Sequence, residues 1–402
     1  MSDVLKKSYA QEIEKGYDYR RAMEEASRCL LCHDAPCSKG CPAGTDPGKF
    51  IRSLRFRNIK GAAETIRENN ALAGSCAQVC PYGKLCEEAC SRCGIDTPIN
   101  IGKIQRFLVE QEKEQGMEFL TPAAKNGKKV ACVGAGPASL TCARELSVLG
   151  YDVTVFEAKE KAGGVLSYGI VPSRLSQEVV DFDIETIAKT GVHFVFGETV
   201  DGARLETLKK EYDAVFMGIG LWQAKMVDLP GTDLDGVVGA IDFLEKARTG
   251  VVTELPENVL VIGGGDVAMD CVTTAKQLGS KNAAIVYRRT IEEAPADIEE
   301  VKLVQSMGIP MFTQFAPAEI LGKDGKVTFL KATGRDGESE MTLKADMVVF
   351  AIGQELEAAF EGVSFGDGVF VGGDMKDGKG ATVVEAVADG KAAAADIVNY
   401  LG

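Results

Sequence analysis

The chain has 402 residues, 45% of them hydrophobic and 26% charged, enough for two or three soluble globular domains. Its 45 basic and 59 acidic residues leave a formal charge of −14, which argues against nucleic acid or an anionic membrane as the main partner. No apolar run reaches the ~18–20 residues of a membrane span, and the opening MSDVLKKSYAQEIEKGYDYRR lacks the apolar core of a secretory signal, so cytoplasmic residence is expected.

Residues 1–120 read as a helical, cysteine-rich domain. AQEIEKGYDYRRAMEEAS, DPGKFIRSLRFRNIKGAAETIRENN and PINIGKIQRFLVEQEKEQG are helix-prone, and in the second Phe50, Ile51, Leu54, Phe56, Ile59, Ala62 and Ile66 roughly keep a helical stripe. Nine of the twelve cysteines fall between Cys29 and Cys93. One run is Cys29, Cys32, Cys37, Cys41 and then Pro42; the other is Cys76, Cys80 (before Pro81), Cys86 and Cys90, followed by Cys93. Short-spaced thiolates with a proline after a cysteine are what [4Fe–4S] clusters require. The alternative is zinc, since Cys29 and Cys32 alone could be half of a tetrahedral site. In a reducing compartment a disulfide framework is disfavoured.

After the polar linker Thr121–Lys129 the pattern changes to alternating strand and helix, the signature of a parallel-sheet α/β fold. Val130–Val133 is a predicted strand, and Gly134-Ala135-Gly136-Pro137-Ala138-Ser139 opens a helix that Gly150 stops. Val153–Phe156 is the next strand, and Glu157 ends it. Glycines there permit a tight turn and close approach of a pyrophosphate to the helix N-terminus, while the carboxylate can take ribose hydroxyls. The unit recurs: strand Val259–Ile262, then Gly263-Gly264-Gly265-Asp266-Val267-Ala268, a helix to Leu278, and strand Ala284–Tyr287. The second copy ends in Arg288-Arg289, where an acid would repel a 2′-phosphate and arginine would pair with it. NADP(H) is therefore favoured there, with NAD(H) as the alternative.

Met311–Phe350 reads as a β-meander with turns at Asp324-Gly325 and Asp336-Gly337. DAVFMGIG (Asp213–Gly220) and DMVVFAIG (Asp346–Gly353) are near-copies that bracket the second unit. They suggest that a domain at 223–344 is inserted into one formed by 128–222 and 345–402, with Gly353 near the nucleotide at the return crossing. Late in the chain, Gly373-Asp374 and a helix starting near Thr382 have the placement that two-nucleotide flavoproteins use against the flavin; the helix dipole would stabilise negative charge on it. Only His33 and His193 occur, and neither suits a triad. Hydride transfer between nicotinamide and flavin requires positioning and no side-chain base. Cys132, Cys142 and Cys271 lie within strand or helix patterns and read as small core residues.

EASRCLLCHDAPCSKGCPAGTDPGKFIRSLRFRNIKGAAETIRENNALAGSCAQVCP, PINIGKIQRF, GAGPASL and GGGDVAMD together resemble the electron-input half of dihydropyrimidine dehydrogenase, over essentially the whole chain. The small subunit of NADPH-dependent glutamate synthase is a close relative of that family. The resemblance implies FAD and two [4Fe–4S] clusters. Cys29, Cys32, Cys37 and Cys90 would hold one; Cys41, Cys80, Cys86 and the glutamine side chain at Gln105 would hold the other, leaving Cys76 and Cys93 as non-ligands. Spacing alone points to Cys76 instead. The resemblance also places Gly163, Gly164, Leu166 and Arg174 against FAD. It implies that NAD(P)H reduces FAD here and that electrons leave singly through the clusters. Their destination would be an FMN- and iron–sulfur-containing catalytic subunit that reduces uracil or thymine, in a hetero-oligomer. A glutamate synthase small subunit or another ferredoxin-linked reductase is the alternative, and a zinc-stabilised nucleotide-binding scaffold is the alternative of another class.

Overall fold

The computed structural model describes residues 9–12, 15–357, 360, 365–378, 380 and 382–402. They divide into two compact units: one from the spans 13–167, 174–221 and 358–402, the other from 1–12, 168–173 and 222–357.

The first unit opens with helices α1 (Tyr19–Ser27), α2 (Pro36–Lys39), α3 (Pro47–Arg55), α4 (Ile59–Asn69), α5 (Ala73–Val79) and α6 (Ile101–Glu114). The helix expected over residues 10–27 is found only from Tyr19, where Asp18 caps it by accepting from the Arg21 N–H at 2.8 Å; residues 13 and 14 lie outside the described residues. The stripe expected over 46–70 is two helices. Arg57 adopts φ +62°, and Asn58 restarts the chain by accepting from the Gly61 N–H at 2.9 Å. Phe50, Ile51, Leu54, Ala62 and Ile66 still build the core with Ile104 and Leu108, but Phe56 falls at the break and is left exposed.

The helical domain shares its unit with a five-stranded parallel sheet of order β15-β4-β1-β2-β3. Its strands are β1 (Lys129–Val133), β2 (Asp152–Glu157), β3 (His193–Phe196), β4 (Ala214–Met217) and β15 (Val369–Val371). Helices α7 (Pro137–Val148), α8 (Val165–Tyr168), α9 (Gln177–Ala188), α10 (Gly202–Glu211), α14 (Asp374–Asp377) and α15 (Val383–Leu401) lie between or after these strands. A buried charge network ties the helices to the sheet domain. Arg67 on α4 donates to Glu112 on α6 and to Asp183 on α9, at 2.8 Å each, and Asp183 also accepts from the Gly74 and Ser75 N–H groups of α5. Burial opposes the charge on Arg67, but Glu112 and Asp183 outweigh it and hold the guanidinium above its ordinary pKa.

The second unit repeats the parallel plan with order β6-β13-β7-β8-β9, from β6 (Val237–Gly239), β7 (Asn258–Ile262), β8 (Asn282–Tyr287), β9 (Met311–Thr313) and β13 (Met347–Phe350), with α11 (Ala240–Arg248), α12 (Asp266–Gln277) and α13 (Ile298–Ser306). A meander of β10 (Phe315–Lys323), β11 (Lys326–Gly334) and β12 (Glu340–Lys344) inserts before β13, so the meander expected over 311–350 gives up its first and last strands to the parallel sheet. The boundary expected at 344/345 also moves: β13 pairs with β6 and β7, and β14 (Gln354–Glu355) pairs with β5 (Gln223–Ala224), which carries the second unit to residue 357. The near-copies are β4 and β13, each the neighbour of the first strand of its own sheet. They mark a duplicated architecture, and each precedes a passage of the chain between the two units, at 221/222 and 357/358, as expected for an inserted second unit.

Candidate functional site

All twelve cysteines are free thiols. Cys29, Cys32, Cys37 and Cys90 line one cavity, walled by Pro36 and Ile51. The loops around it are tied in place: Arg55 donates to the Cys29 carbonyl at 2.8 Å, and the Cys32 thiol donates to Ser91 Oγ at 3.4 Å. Burial raises the thiol pKa of Cys29 and lifts that of Cys37 to about 11, with Cys90 adding to both shifts. Buried thiols of this kind stay protonated by themselves, and metal ligation releases the proton. Among the described residues, no three His, Cys, Asp or Glu side chains converge on a single metal ion; the four thiols surround a volume instead. That donor set fits a polynuclear cluster better than zinc.

Cys41, Cys80 and Cys86 form a second, more buried set. The pKa of Cys80 is raised first by its hydrogen bond with Cys76, then by burial, then by Cys76, Cys86 and Cys41 as neighbouring charges. Burial raises that of Cys86, with Glu87, Cys41 and Cys37 adding. The Cys41 thiol donates to Thr45 Oγ1 at 3.3 Å. Cys76 is buried on α5, one turn before Cys80. Gln105 is buried on α6, and its Nε2 donates to the Ala73 carbonyl in the first turn of α5 at 2.8 Å. Cys93 is exposed. Cys132, Cys142 and Cys271 are fully buried, as core residues should be.

The first glycine turn packs as its sequence demands. Gly134 has φ +85°, and a Cβ there would come within 2.8 Å of the Gly218 carbonyl. Gly136 precedes α7, whose first residue is Pro137. Ser139 is fully buried and donates to the Val133 carbonyl at 3.3 Å, so the third small position does hold helix to strand. Glu157 is buried: its carboxylate accepts from the Ala135 N–H at 2.7 Å and the Lys159 N–H at 2.9 Å, pinning the turn with lone pairs still available to a ligand. Gly163 donates to the Ala135 carbonyl at 2.8 Å, and a Cβ on Gly164 (φ +56°) would lie 2.8 Å from Gly136 Cα. Leu166 is fully buried nearby in sequence, and Arg174 is half-buried. Gly373, with φ +66°, donates to Asp389 Oδ2 at 2.9 Å, and its missing Cβ would sit 3.1 Å from the Ala138 Cβ. Asp374 opens α14, and Thr382 caps α15 in a capping box with Glu385. The turn before α7, the 157–166 loop and the Gly373 turn thus meet at one end of the sheet.

In the second unit Gly263 has φ +151° and abuts the Ala351 carbonyl, and a Cβ on Gly264 would strike the Tyr287 ring. Gly265 precedes α12, which Asp266 opens with Val267 behind it. The Asp266 carboxylate accepts from the Asp297 N–H at 2.7 Å, and the Gly264 carbonyl accepts from the Ala296 N–H at 3.2 Å, so the 290–297 loop folds over the turn. Arg288 and Arg289 follow β8 exposed, and neither makes an ion pair among the described residues. Gly353 (φ +117°) lies beside the Lys225 side chain. Sequence reasoning missed Gly218, whose Cβ would collide with Ser139 Oγ, although its signal was the glycine closing DAVFMG. It also missed Asp183 and Arg67, for which no local pattern exists.

Comparison with known proteins agrees with this division. Residues 6–117 match the family described as dihydropyrimidine dehydrogenase domain II, 4Fe-4S cluster, and residues 128–390 match the pyridine nucleotide-disulphide oxidoreductase family. The NAD-dependent dihydropyrimidine dehydrogenase subunit PreT of Escherichia coli (strain K12) is 44% identical over 98% of both chains. The beta subunit of the NADP(+)-dependent formate dehydrogenase of Moorella thermoacetica is 32% identical over 91% of this chain and 60% of its own. Among solved structures, FprA from Mycobacterium tuberculosis shares the fold, with TM-score 0.60 and 19% identity over 68% of this chain and 85% of that one. Among the described residues, no helix is long and apolar enough to cross a membrane.

Proposed function

The chain belongs to the family of the PreT subunits of NAD-dependent dihydropyrimidine dehydrogenase, an oxidoreductase joining a 4Fe-4S domain to a pyridine nucleotide-dependent domain, and from that premise we propose that it oxidises NAD(P)H and passes the electrons to an FMN-containing partner that reduces uracil or thymine. The observation that carries this reading is the sharing of one compact unit by the cysteine-lined helical domain and the first nucleotide fold, joined through the buried Arg67–Asp183 pair.

FAD, when bound, would supply hydride acceptance from a nicotinamide, and the clusters would supply one-electron transfer. The chain's own residues bind and orient. The backbone of Gly134–Gly136 and the positive end of α7 would receive the FAD pyrophosphate, and Glu157 its ribose. Gly163, Gly164, Leu166, Arg174, Gly373, Asp374 and Thr382 would enclose the rest of it. Gly263–Val267 would take the nicotinamide dinucleotide, with Gly353 at its edge, and Arg288 and Arg289 would hold a 2′-phosphate, making NADP(H) the better substrate. Cys29, Cys32, Cys37 and Cys90 would ligate one [4Fe–4S] cluster. Cys41, Cys80, Cys86 and Gln105 would ligate the other, with Cys76 beside Cys80 as a non-ligand.

Anaerobically purified protein should contain FAD and about eight iron atoms with matching sulfide, and NADPH should bleach its flavin. Supplied with its co-purifying partner it should convert uracil to dihydrouracil. Conversion of glutamine and 2-oxoglutarate to glutamate would select the glutamate synthase branch instead, and zinc in place of iron would remove the electron-transfer role altogether.

A further inference from the structure

The edge of the first cysteine set carries an unusual surface. The last turn of α3 lies against the 29–32 loop: Arg55 donates to the Cys29 carbonyl at 2.8 Å and Arg52 to the Cys32 carbonyl at 3.4 Å. The helix then breaks, because Arg57 turns to φ +62°. The break turns Phe56 into solvent at 73% exposure, and Leu30 on the adjoining loop is 46% exposed. Arg52, Arg55 and Arg57 make no ion pair with any acid among the described residues, whereas Arg28 and Arg92, on the other side of the cavity, are matched by Glu25 and Asp96. Lys49 and Lys60, at either end of the same stretch, are exposed.

The charge is out of character for this molecule. Residues 19–117 hold 15 basic and 12 acidic residues on a chain whose formal charge is −14. The overall charge of the chain would repel an acidic protein; here such a protein meets unmatched guanidinium groups around an exposed aromatic ring. Arginine and aromatic residues are the types enriched at the centres of protein interfaces, and a patch of one sign on an oppositely charged body steers association and orients it.

We propose that Arg52, Phe56 and Arg57, with Leu30, form the docking surface for the electron acceptor, and that this acceptor is an iron–sulfur protein presenting an acidic face. The proposal rests on the reading that electrons leave through the thiolate-held clusters, and it names the exit: the Cys29–Cys90 set, whose loop the patch borders. Phe56 supplies the apolar contact, and the arginines supply approach and register.

The test uses the full holoprotein and a small acidic 2[4Fe–4S] ferredoxin as probe, with the neutral quinone menadione as a control acceptor. Arg57→Glu, and Arg57→Glu with Lys60→Glu, should raise the KM for ferredoxin and the Kd for oxidised ferredoxin measured calorimetrically by at least about tenfold, and should flatten their salt dependence between about 50 and 200 mM. Phe56→Ser should weaken binding several-fold without changing the salt slope. Menadione reduction, iron content and flavin content should stay at wild-type values in all three. Wild-type ferredoxin affinity and salt dependence in the double variant would overturn the proposal while leaving the electron-exit reading intact. Unchanged ferredoxin affinity together with lost binding to phosphatidylserine vesicles would reassign the patch to a lipid surface and overturn it as well. A wild-type protein that reduces menadione from NAD(P)H but never ferredoxin would refute the electron-exit reading itself, and the docking surface with it.

Discussion

The two parallel sheets share one plan and differ where the ligand would be chosen. In each, the strand that follows the glycine turn and its helix ends beside that turn. In the first it ends in Glu157, which is buried and bonded to the turn's own backbone; in the second it ends in Arg288 and Arg289, exposed and without an acid. The flanking loops differ as well. The first turn is enclosed by glycines at 163 and 164, where a side chain would strike Ser167 and the Gly136 backbone respectively, and the second is covered by a loop held through Asp266 and Asp297. A duplicated scaffold thus carries two glycine turns with different surroundings, and the helical domain shares its compact unit with the first.

The largest effects should come from filling the two turns separately. Gly164→Val puts a side chain against Gly136 from a φ of +56°. The variant should purify without flavin absorbance yet keep its iron, because the cysteine sets do not depend on that turn. Gly264→Val drives a side chain into the Tyr287 ring; it should keep flavin and iron but lose NAD(P)H binding, measured by fluorescence titration. If either variant loses both nucleotides, the two sites are not separable and the comparison fails.

Next is the attachment of the helical domain. Arg67→Met leaves Glu112 and Asp183 facing each other, buried, without their cation. Breaking one partner of such a pair costs about 3–5 kcal/mol. Denaturant unfolding followed by iron–sulfur absorbance should move by that amount, while unfolding followed by NADP(H) binding should not. Equal shifts in both signals would mean that the molecule unfolds as one block.

Much of this was legible in the chain, and what was not shares a cause. The glycine turns, Glu157 and the exposed arginines were readable because a strand, a turn and a helix start lie within thirty residues, and turn chemistry is local. Spacing grouped Cys29, Cys32 and Cys37 with Cys41; the resemblance put Cys90 in place of Cys41, and Cys29, Cys32, Cys37 and Cys90 line one cavity. Phe56 looked like core because a helical stripe was extended across Arg57, where a left-handed residue and the Asn58 cap restart the helix. Arg67 reads as an ordinary charged helix position; its burial depends on Asp183, 116 residues later. The strand at 347–350 was misassigned because two buried strands with the same composition carry no mark of which sheet they join.

A smaller effect should separate the two nucleotide preferences. Charge-assisted hydrogen bonds to a phosphate contribute about 1.5–3 kcal/mol each. Arg288→Glu with Arg289→Glu should therefore raise the KM for NADPH by roughly ten- to a hundredfold or more and leave that for NADH nearly unchanged, measured by steady-state flavin-linked menadione reduction. Equal effects on both would make the arginines part of a general anion field with no role in selecting the 2′-phosphate.

The smallest effect concerns how the loop after those arginines is held. Glu293 sits in a capping box with Thr290, and its carboxyl pKa is held below the ordinary glutamate range first by the Thr290 N–H, donating at 2.9 Å, and then by Arg335 at 2.8 Å. A carboxyl whose folded pKa is depressed stabilises the fold above its unfolded pKa, about 4.3, and that contribution disappears as pH falls through the lower folded value. Glu293→Gln should accordingly be slightly less stable than the wild type near neutral pH, with the difference shrinking below about pH 4 and absent once both folded and unfolded carboxyls are protonated. The first unit provides the contrast, since the loop over its turn is closed by Gly163 and Gly164 and has no contact with Glu293 to lose. Melting curves read through NADP(H) binding should show the pH-dependent difference, and curves read through flavin fluorescence should not. A difference that persists undiminished in acid would mean that the loop is held by packing, with the carboxylate incidental to it.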